Sequence, residues 1–251
     1  MSLEIYHLSL KASLNIMVNK SFKSDGLKNN VSNLIVLGPS GSGKGTQAEL
    51  LARNPPVGGQ LKMLDGGEYL RKLITSKSGE NKKLAEKLNK GNLAPTDIIR
   101  DWMKKQIFAR PISRGLIFSG QPRMIGEAKS AIKWFKESGR GLPIVIFLKV
   151  SAKEVLKRLA KRYICRKCKA VYTLDKPLAS PCKFCGGEII KRADDTPQLI
   201  KNRLDYFHKQ VFKTLKFFKK KGILIGVNGE QSVEDVHKEI VRKIEKFMVG
   251  R

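Results

Sequence analysis

Two stretches of this chain combine residue types at spacings that can do chemistry. The first is GPSGSGKGTQ at residues 38–47. Gly38 and Gly43 frame a turn whose backbone N–H groups can converge on one anion, Lys44 adds a full positive charge, and Thr46 supplies a hydroxyl. The apolar run NLIVL before it reads as a strand, and TQAELLAR after it has helical spacing, so the positive end of the helix points at the same anion. This is a cradle for the phosphates of a nucleotide. It leaves open whether the terminal phosphoryl group goes to water, to a protein or to a second small molecule.

The second stretch holds all four cysteines, Cys165 and Cys168 in CRKC, Cys182 and Cys185 in CKFC, two close pairs separated by 13 residues. Each short loop can direct two sulfurs at one ion, the pattern of tetrahedral thiolate coordination of zinc. Two disulfides, or four unligated thiols, are the alternatives, and nothing in the sequence suggests the oxidising compartment that disulfides need. A four-thiolate site is coordinatively closed, so it staples a small lid and performs no chemistry itself.

The elements that must position these groups follow from apolar runs. GLIFSG at 115–120, PIVIFLKV at 143–150 and GILIGV at 222–227 alternate with helical stretches, and QLKML at 60–64 leads into DGGEYLRKLI. With the strand before the phosphate loop, this predicts about five strands in a parallel α/β sheet, whose ligands sit at the strand C-termini. A helical, lysine-rich segment over 66–95 and the cysteine-bearing segment over 163–191 interrupt the alternation as insertions on a core spanning 32–251.

With 251 residues and 41% hydrophobic content, the chain can bury a full core. No apolar run approaches the roughly 20 residues that span a bilayer, so a soluble protein with no membrane partner is expected. The net charge of +28 is spread along the chain, with clusters such as KFFKKK at 216–221. A lysine-rich surface on a protein whose ligands are polyphosphates accounts for this charge, and weak polyanion binding goes with it. No dedicated nucleic-acid partner is expected, because no aromatic-rich RNA-binding signature interrupts the clusters. Residues 1–31 hold no arginine and carry Glu4 and Asp25, unlike a mitochondrial transit peptide, and no apolar region in them ends in a signal cleavage site. A variable, poorly ordered extension on a cytoplasmic protein is the expectation.

GPSGSGKGTQ with Gly45 after the lysine, GGEYLR, GNLAP, SGQPR, the four-cysteine insertion and KRADD followed by KNRL occur in the order found in adenylate kinases. Over about residues 32–249 the chain resembles the long form of that family, which carries a zinc-bearing lid. The resemblance implies a monomer that transfers a phosphoryl group reversibly from ATP·Mg²⁺ to a nucleoside monophosphate, AMP first of all, with the 66–95 insertion holding the acceptor. It also implies roles. Gly41, Ser42, Gly43, Lys44, Gly45 and Thr46 cradle ATP with Arg162, Arg158 packs on its base, and Val171, Tyr172 and Gln231 complete that pocket. Arg71 and Arg123 hold the monophosphate in a pocket completed by Gly66, Asn92, Leu93, Ala94, Gly120, Gln121, Pro122 and Glu127. Arg162, Arg192 and Arg203 surround the transferring group, the last two also reaching the acceptor. Asp194 and Asp195 anchor the lid by ion pairs when it closes. Permanently charged guanidinium groups that fork onto phosphate oxygens suit a reaction whose main need is positive charge and excluded water.

Three positions depart from the family pattern. Ser119 stands where an aspartate usually helps organise the Mg²⁺ shell, although Glu68 keeps an acidic position and Asp65 is near, so Mg²⁺ use with slower chemistry is expected. Glu127 replaces a glutamine that would donate and accept at adenine, and an ionised glutamate only accepts. Gly66 replaces a threonine near the same base. GMP is therefore the rival acceptor, since Glu127 could accept from guanine N1–H and N2–H. From another class, a weakly active nucleotide sensor or nucleic-acid-associated protein rests on Ser119 and the basic surface.

Overall fold

The computed structural model describes residues 33–56, 59–75, 94–175, 180–192 and 195–250. The extension expected over 1–31 and most of the insertion expected over 66–95 lie outside the described residues, as do Asn92, Leu93 and Asp194. The chain begins with β1 (Leu34–Leu37), α1 (Lys44–Arg53), β2 (Gln60–Asp65), α2 (Gly66–Thr75) and α3 (Thr96–Phe108). Then come β3 (Arg114–Ser119), α4 (Ile125–Glu137), β4 (Ile144–Lys149) and α5 (Ala152–Ala160). Three short strands follow, β5 (Arg162–Cys165), β6 (Val171–Thr173) and β7 (Ile189–Lys191). The chain closes with α6 (Pro197–Tyr206), a π-helical turn (Phe207–Val211), α7 (Phe212–Lys220), β8 (Leu224–Asn228) and α8 (Val233–Val249).

Five strands form a parallel sheet in the order β2-β3-β1-β4-β8. Their positions match the five apolar runs of the sequence to within one or two residues at the ends. A parallel sheet covered on both faces needs apolar residues on both sides of every strand, which is why these strands read as unbroken apolar runs. β1 shows it most clearly. Ile35 and Leu37 face a core with Met103, Phe135 and Phe218 from α3, α4 and α7, while Leu34 and Val36 face another with Leu51 and Ile240 from α1 and α8. In the first core, Phe118 meets Trp102 and Phe135 edge to face.

Because every strand runs the same way, all five C-termini open at one edge, and the residues that follow them share that edge. The opposite edge is fastened by Arg140, whose guanidinium donates to the carbonyl oxygens of Ile107, Arg110, Pro111 and Arg114.

The cysteine-bearing segment is a separate three-stranded antiparallel sheet in the order β6-β5-β7, with Tyr163 opposite both Tyr172 and Lys191. Its core is small: Tyr163, Cys165, Tyr172, Leu174 and Cys182. So small a core supplies little hydrophobic stabilisation, and a tie between its loops has to make up the difference. Among the described residues no helix is long and apolar enough to cross a membrane.

Candidate active site

The phosphate loop lies between the central strand and α1. Gly43 caps α1 in the left-handed region, with φ 86°, and Gly41 has φ 77° at a place where an added Cβ would lie 2.9 Å from Leu159 Cδ2. Both positions therefore favour glycine on backbone grounds, and Gly41 also on close approach. Ser42 Oγ is buried without a hydrogen-bond partner, while Thr46, in the first turn of α1, is exposed. Lys44 Nζ donates to Pro39 O at 2.6 Å. Part of the Lys44 surface stays open, yet its ammonium is crowded by protein. Burial brings the group down from 10.5 to about 7, the charges of Arg123, Arg162 and Arg203 push the same way, and Asp65 opposes them.

Arg123 and this lysine both lie against Gly120, whose φ of 76° is in the left-handed region that favours glycine. A Cβ there would sit 3.5 Å from Arg123 Nη2 and 3.6 Å from Lys44 Cε. Arg123 Nε donates to Gly120 O at 2.8 Å, and Arg123 O accepts from Thr214 Oγ1 of α7 at 2.8 Å, so the strand end and a packed helix hold it from two sides. Burial lowers the Arg123 pKa, with Arg203 and Arg192 adding to the effect and Glu127 and Asp65 opposing it. Lys44, Arg123, Arg162, Arg192 and Arg203 thus act on one another at a single edge of the sheet. Arg71, on α2, stands 3.8 Å from Asp65.

Two of these arginines share a counter-ion. Arg162, at the start of β5, donates twice to Asp195, and Arg203 of α6 donates to the same carboxylate at 2.8 Å. The Asp195 side chain has no solvent exposure, so the lid sheet and α6 meet at one buried carboxylate. On the far side of the loop, Arg158 donates to Glu154 at 2.7 Å and its charge helps hold Glu230 below the usual carboxylate range, after the Ser151 N–H that Glu230 accepts. Gln231, next in the chain, donates to Asn228 O. On β6, Val171 is exposed and Tyr172 is buried.

Asp65 carries more of the local electrostatics than its type and position in the sequence announce. It pairs in register with Ser119 across β2 and β3, so a carboxylate stands one strand away from the hydroxyl. Its Oδ1 accepts from Glu68 N at 2.6 Å, and its charge bears on both Lys44 and Arg123. Glu68, by contrast, pairs with Lys72 on the surface of α2. Strand register is what joins Asp65 to Ser119, and two residues 54 positions apart give no sign of it in a single sequence.

On the acceptor side, Glu127 is buried at the start of α4. One carboxylate oxygen accepts from the backbone N–H groups of Arg123 and Met124, at 2.7 and 3.1 Å. Burial pushes its carboxyl above the usual range, and these two bonds and Arg123 restrain the shift. Gly66 opens α2 and lies against Gln121, whose peptide bond to Pro122 is cis. Ala94 is buried in the core just before α3.

The four cysteines come together in the lid sheet with their sulfurs all within 4.8 Å of one another, including Cys165 to Cys185 at 3.5 Å and Cys168 to Cys182 at 3.6 Å. Zinc–sulfur bonds of about 2.3 Å at the tetrahedral angle put sulfurs roughly 3.8 Å apart. The cluster fits that ion, and its cysteines are free thiols. Tyr172 Oη lies 3.1 Å from Cys182 Sγ, placed to donate to a thiolate.

A parallel sheet with a glycine-rich loop after its central strand, a ring of cations at that edge and a four-cysteine lid define a nucleotide-binding α/β protein of the phosphotransferase kind. A family model described as adenylate kinase matches residues 36–223. The chain is 33% identical over 216 residues to an adenylate kinase of Methanocella arvoryzae, covering 85% of this chain and 98% of that one. It is 32% identical over 218 residues to one of Archaeoglobus fulgidus, covering 86% and 99%, and 30% identical over 217 residues to one of Thermosipho africanus, covering 85% and 100%. The chain belongs to the adenylate kinase family.

Proposed function

We infer that this chain catalyses reversible phosphoryl transfer between ATP·Mg²⁺ and AMP to form two ADP, in a cleft that opens at the C-terminal edge of its sheet. One observation carries the reading: Lys44, Arg123, Arg162, Arg192 and Arg203, from five places in the chain, bear on one another beside the phosphate loop. Cations gathered at one edge, two of them on a shared carboxylate, match a ligand pair that is strongly anionic. Lys44 follows the transferring phosphates, with the backbone of residues 41–46 around it. Arg123 and Arg71 hold the acceptor phosphate, and Arg162, Arg192 and Arg203 close on the group in transfer.

Mg²⁺ bound with ATP would supply positive charge that neutralises the phosphates. Thr46, exposed on the first turn of α1, and Asp65, beside Ser119, are the oxygen donors at this edge that would hold its shell. Cys165, Cys168, Cys182 and Cys185 would hold zinc, which would tie the loops of the lid and supply no chemistry of its own. The lid spans about residues 163–191 and the acceptor segment about 66–95. Thiols retained as a metal cluster suit a reducing, cytoplasmic setting, and the chain acts as a monomer.

GMP is the second reading, favoured by Glu127, whose carboxylate accepts and does not donate while ionised. A coupled assay with ATP·Mg²⁺ across AMP, GMP, CMP and UMP decides between them. AMP should give the highest kcat/KM; a higher value for GMP would overturn the acceptor assignment, and no turnover with any of the four would favour a sensor or nucleic-acid-associated role.

A further inference from the structure

Glu127 holds the place from which the adenine base would be read, and its Oε2 is already committed to two backbone N–H groups at the start of α4. A second polar side chain close by is not committed. Gln121, the residue after Gly120, is 2% exposed, and its Oε1 is buried with no hydrogen-bond partner. A buried amide oxygen without a donor destabilises the chain that carries it, and a ligand that brings a donor removes that cost.

The direction of this side chain is fixed by what it excludes. A Cβ on Gly66 would lie 2.3 Å from Gln121 Cγ and 3.2 Å from Nε2. No side chain fits at 66 while Gln121 lies as it does. The amide therefore reaches from the end of β3 to the first turn of α2, the helix that also carries Arg71, and it sits two residues before Arg123. Both arginines belong to the acceptor phosphate in the reading above, on which this inference rests.

We propose that the side-chain amide of Gln121 reads the acceptor base, and that Gly66 is a glycine because the stem of Gln121 occupies the space a larger residue would need. A primary amide presents an acceptor and a donor side by side, the pattern that matches the 6-amino group of adenine and an adjacent ring nitrogen. Oε1 accepts from the amino group and Nε2 donates to the ring nitrogen. The donor that Glu127 lacks while ionised is supplied by Gln121, and AMP gains both bonds.

The test compares AMP with purine riboside 5′-monophosphate, which lacks the 6-amino group, in the unmodified protein and in Gln121→Leu. The unmodified protein should favour AMP by roughly tenfold or more in kcat/KM, chiefly through KM, as a paired polar contact to a base typically does. Gln121→Leu should bring the two acceptors to within about threefold of each other, with the KM for ATP unchanged. An equal AMP preference in both proteins overturns the proposal, and so does a loss shared equally by ATP. Should Gln121→Leu fail to fold, Gln121→Met replaces it with a chain of similar length and no amide. The packing half has its own readout. Gly66→Ala should lower Tm clearly in the unmodified background and little in Gln121→Ala, whereas equal losses overturn the coupling. If the unmodified chain turns over no monophosphate at all, the acceptor reading falls together with this one; if AMP is turned over but the ratio does not respond to Gln121, only the role of Gln121 falls.

Discussion

Lys44 is a lysine brought to about 7 by burial among other cations, and its titration can be measured separately from catalysis. Between about 7 and the ordinary 10.5 the unfolded chain holds this proton and the folded chain does not. Free protein therefore gains stability from this group as pH rises through that window, and the contribution is constant below about 7. A bound polyphosphate favours the charged ammonium, so binding above that value takes up a proton. Calorimetry of a non-hydrolysable ATP analogue at about pH 8.5, in buffers of different ionisation enthalpy, should report proton uptake in the unmodified protein and none at this site in Lys44→Met. Lys44→Ala should also lower turnover by at least about a hundredfold, the usual loss when an electrostatic contact to the transition state is removed. Near-normal turnover in that variant would refute the role of the loop. The spacing of GPSGSGKGTQ reveals the charge and the cradle, but the depressed pKa depends on burial first and then on Arg123, Arg162 and Arg203, which the sequence places 79 to 159 residues away.

At the scale of the element, the lid poses a problem of size. Three strands of three or four residues, with Tyr163, Tyr172 and Leu174 as their main apolar content besides the cysteines, bury too little to hold an independent sheet. Metal binding would supply what the core lacks, because zinc affinity is coupled to folding of the segment that provides the ligands. Protein purified without chelator should contain one zinc per chain by metal analysis. Cys182→Ala should remove it and open the lid to limited proteolysis while leaving the main sheet folded. Zinc-free protein with four titratable thiols would refute the site. The pairs CRKC and CKFC make this cluster legible from spacing alone. The three-stranded sheet that carries it is less legible, since its strands are too short for alternation to register.

Across the whole molecule the reaction needs water kept from the phosphoryl group, and an edge open to solvent does not provide that. Arg162 and Arg203 are held by Asp195, at the point where the lid joins α6. Binding of a dinucleotide polyphosphate that spans both nucleotide sites should draw the lid and the acceptor segment together, with a smaller radius of gyration in solution scattering. Superimposable scattering profiles with and without a saturating ligand would count against closure.

Much of this protein was determined by its sequence. Five apolar runs spaced by helices specify a parallel sheet, because only a sheet covered on both faces requires strands apolar on both sides, and the runs lie where the strands form. The phosphate loop and the cysteine pairs are equally local, since each is made by residues within a few positions of one another. What only the tertiary structure decided depends on register and packing between distant segments. Parallel pairing sets Asp65 beside Ser119, and the turn at Gly120 brings Lys44 and Arg123 against one residue. The π-helical turn at Phe207–Val211 is likewise invisible in the helical spacing around it. Most telling is the pair Gly66 and Gln121. Read along the chain, Gly66 is an isolated departure and Gln121 one residue of the acceptor pocket; in the fold, the space that one leaves empty is the space that the other fills. Steric exclusion acts between atoms, and residues 55 positions apart become neighbours only when β2 and β3 pair.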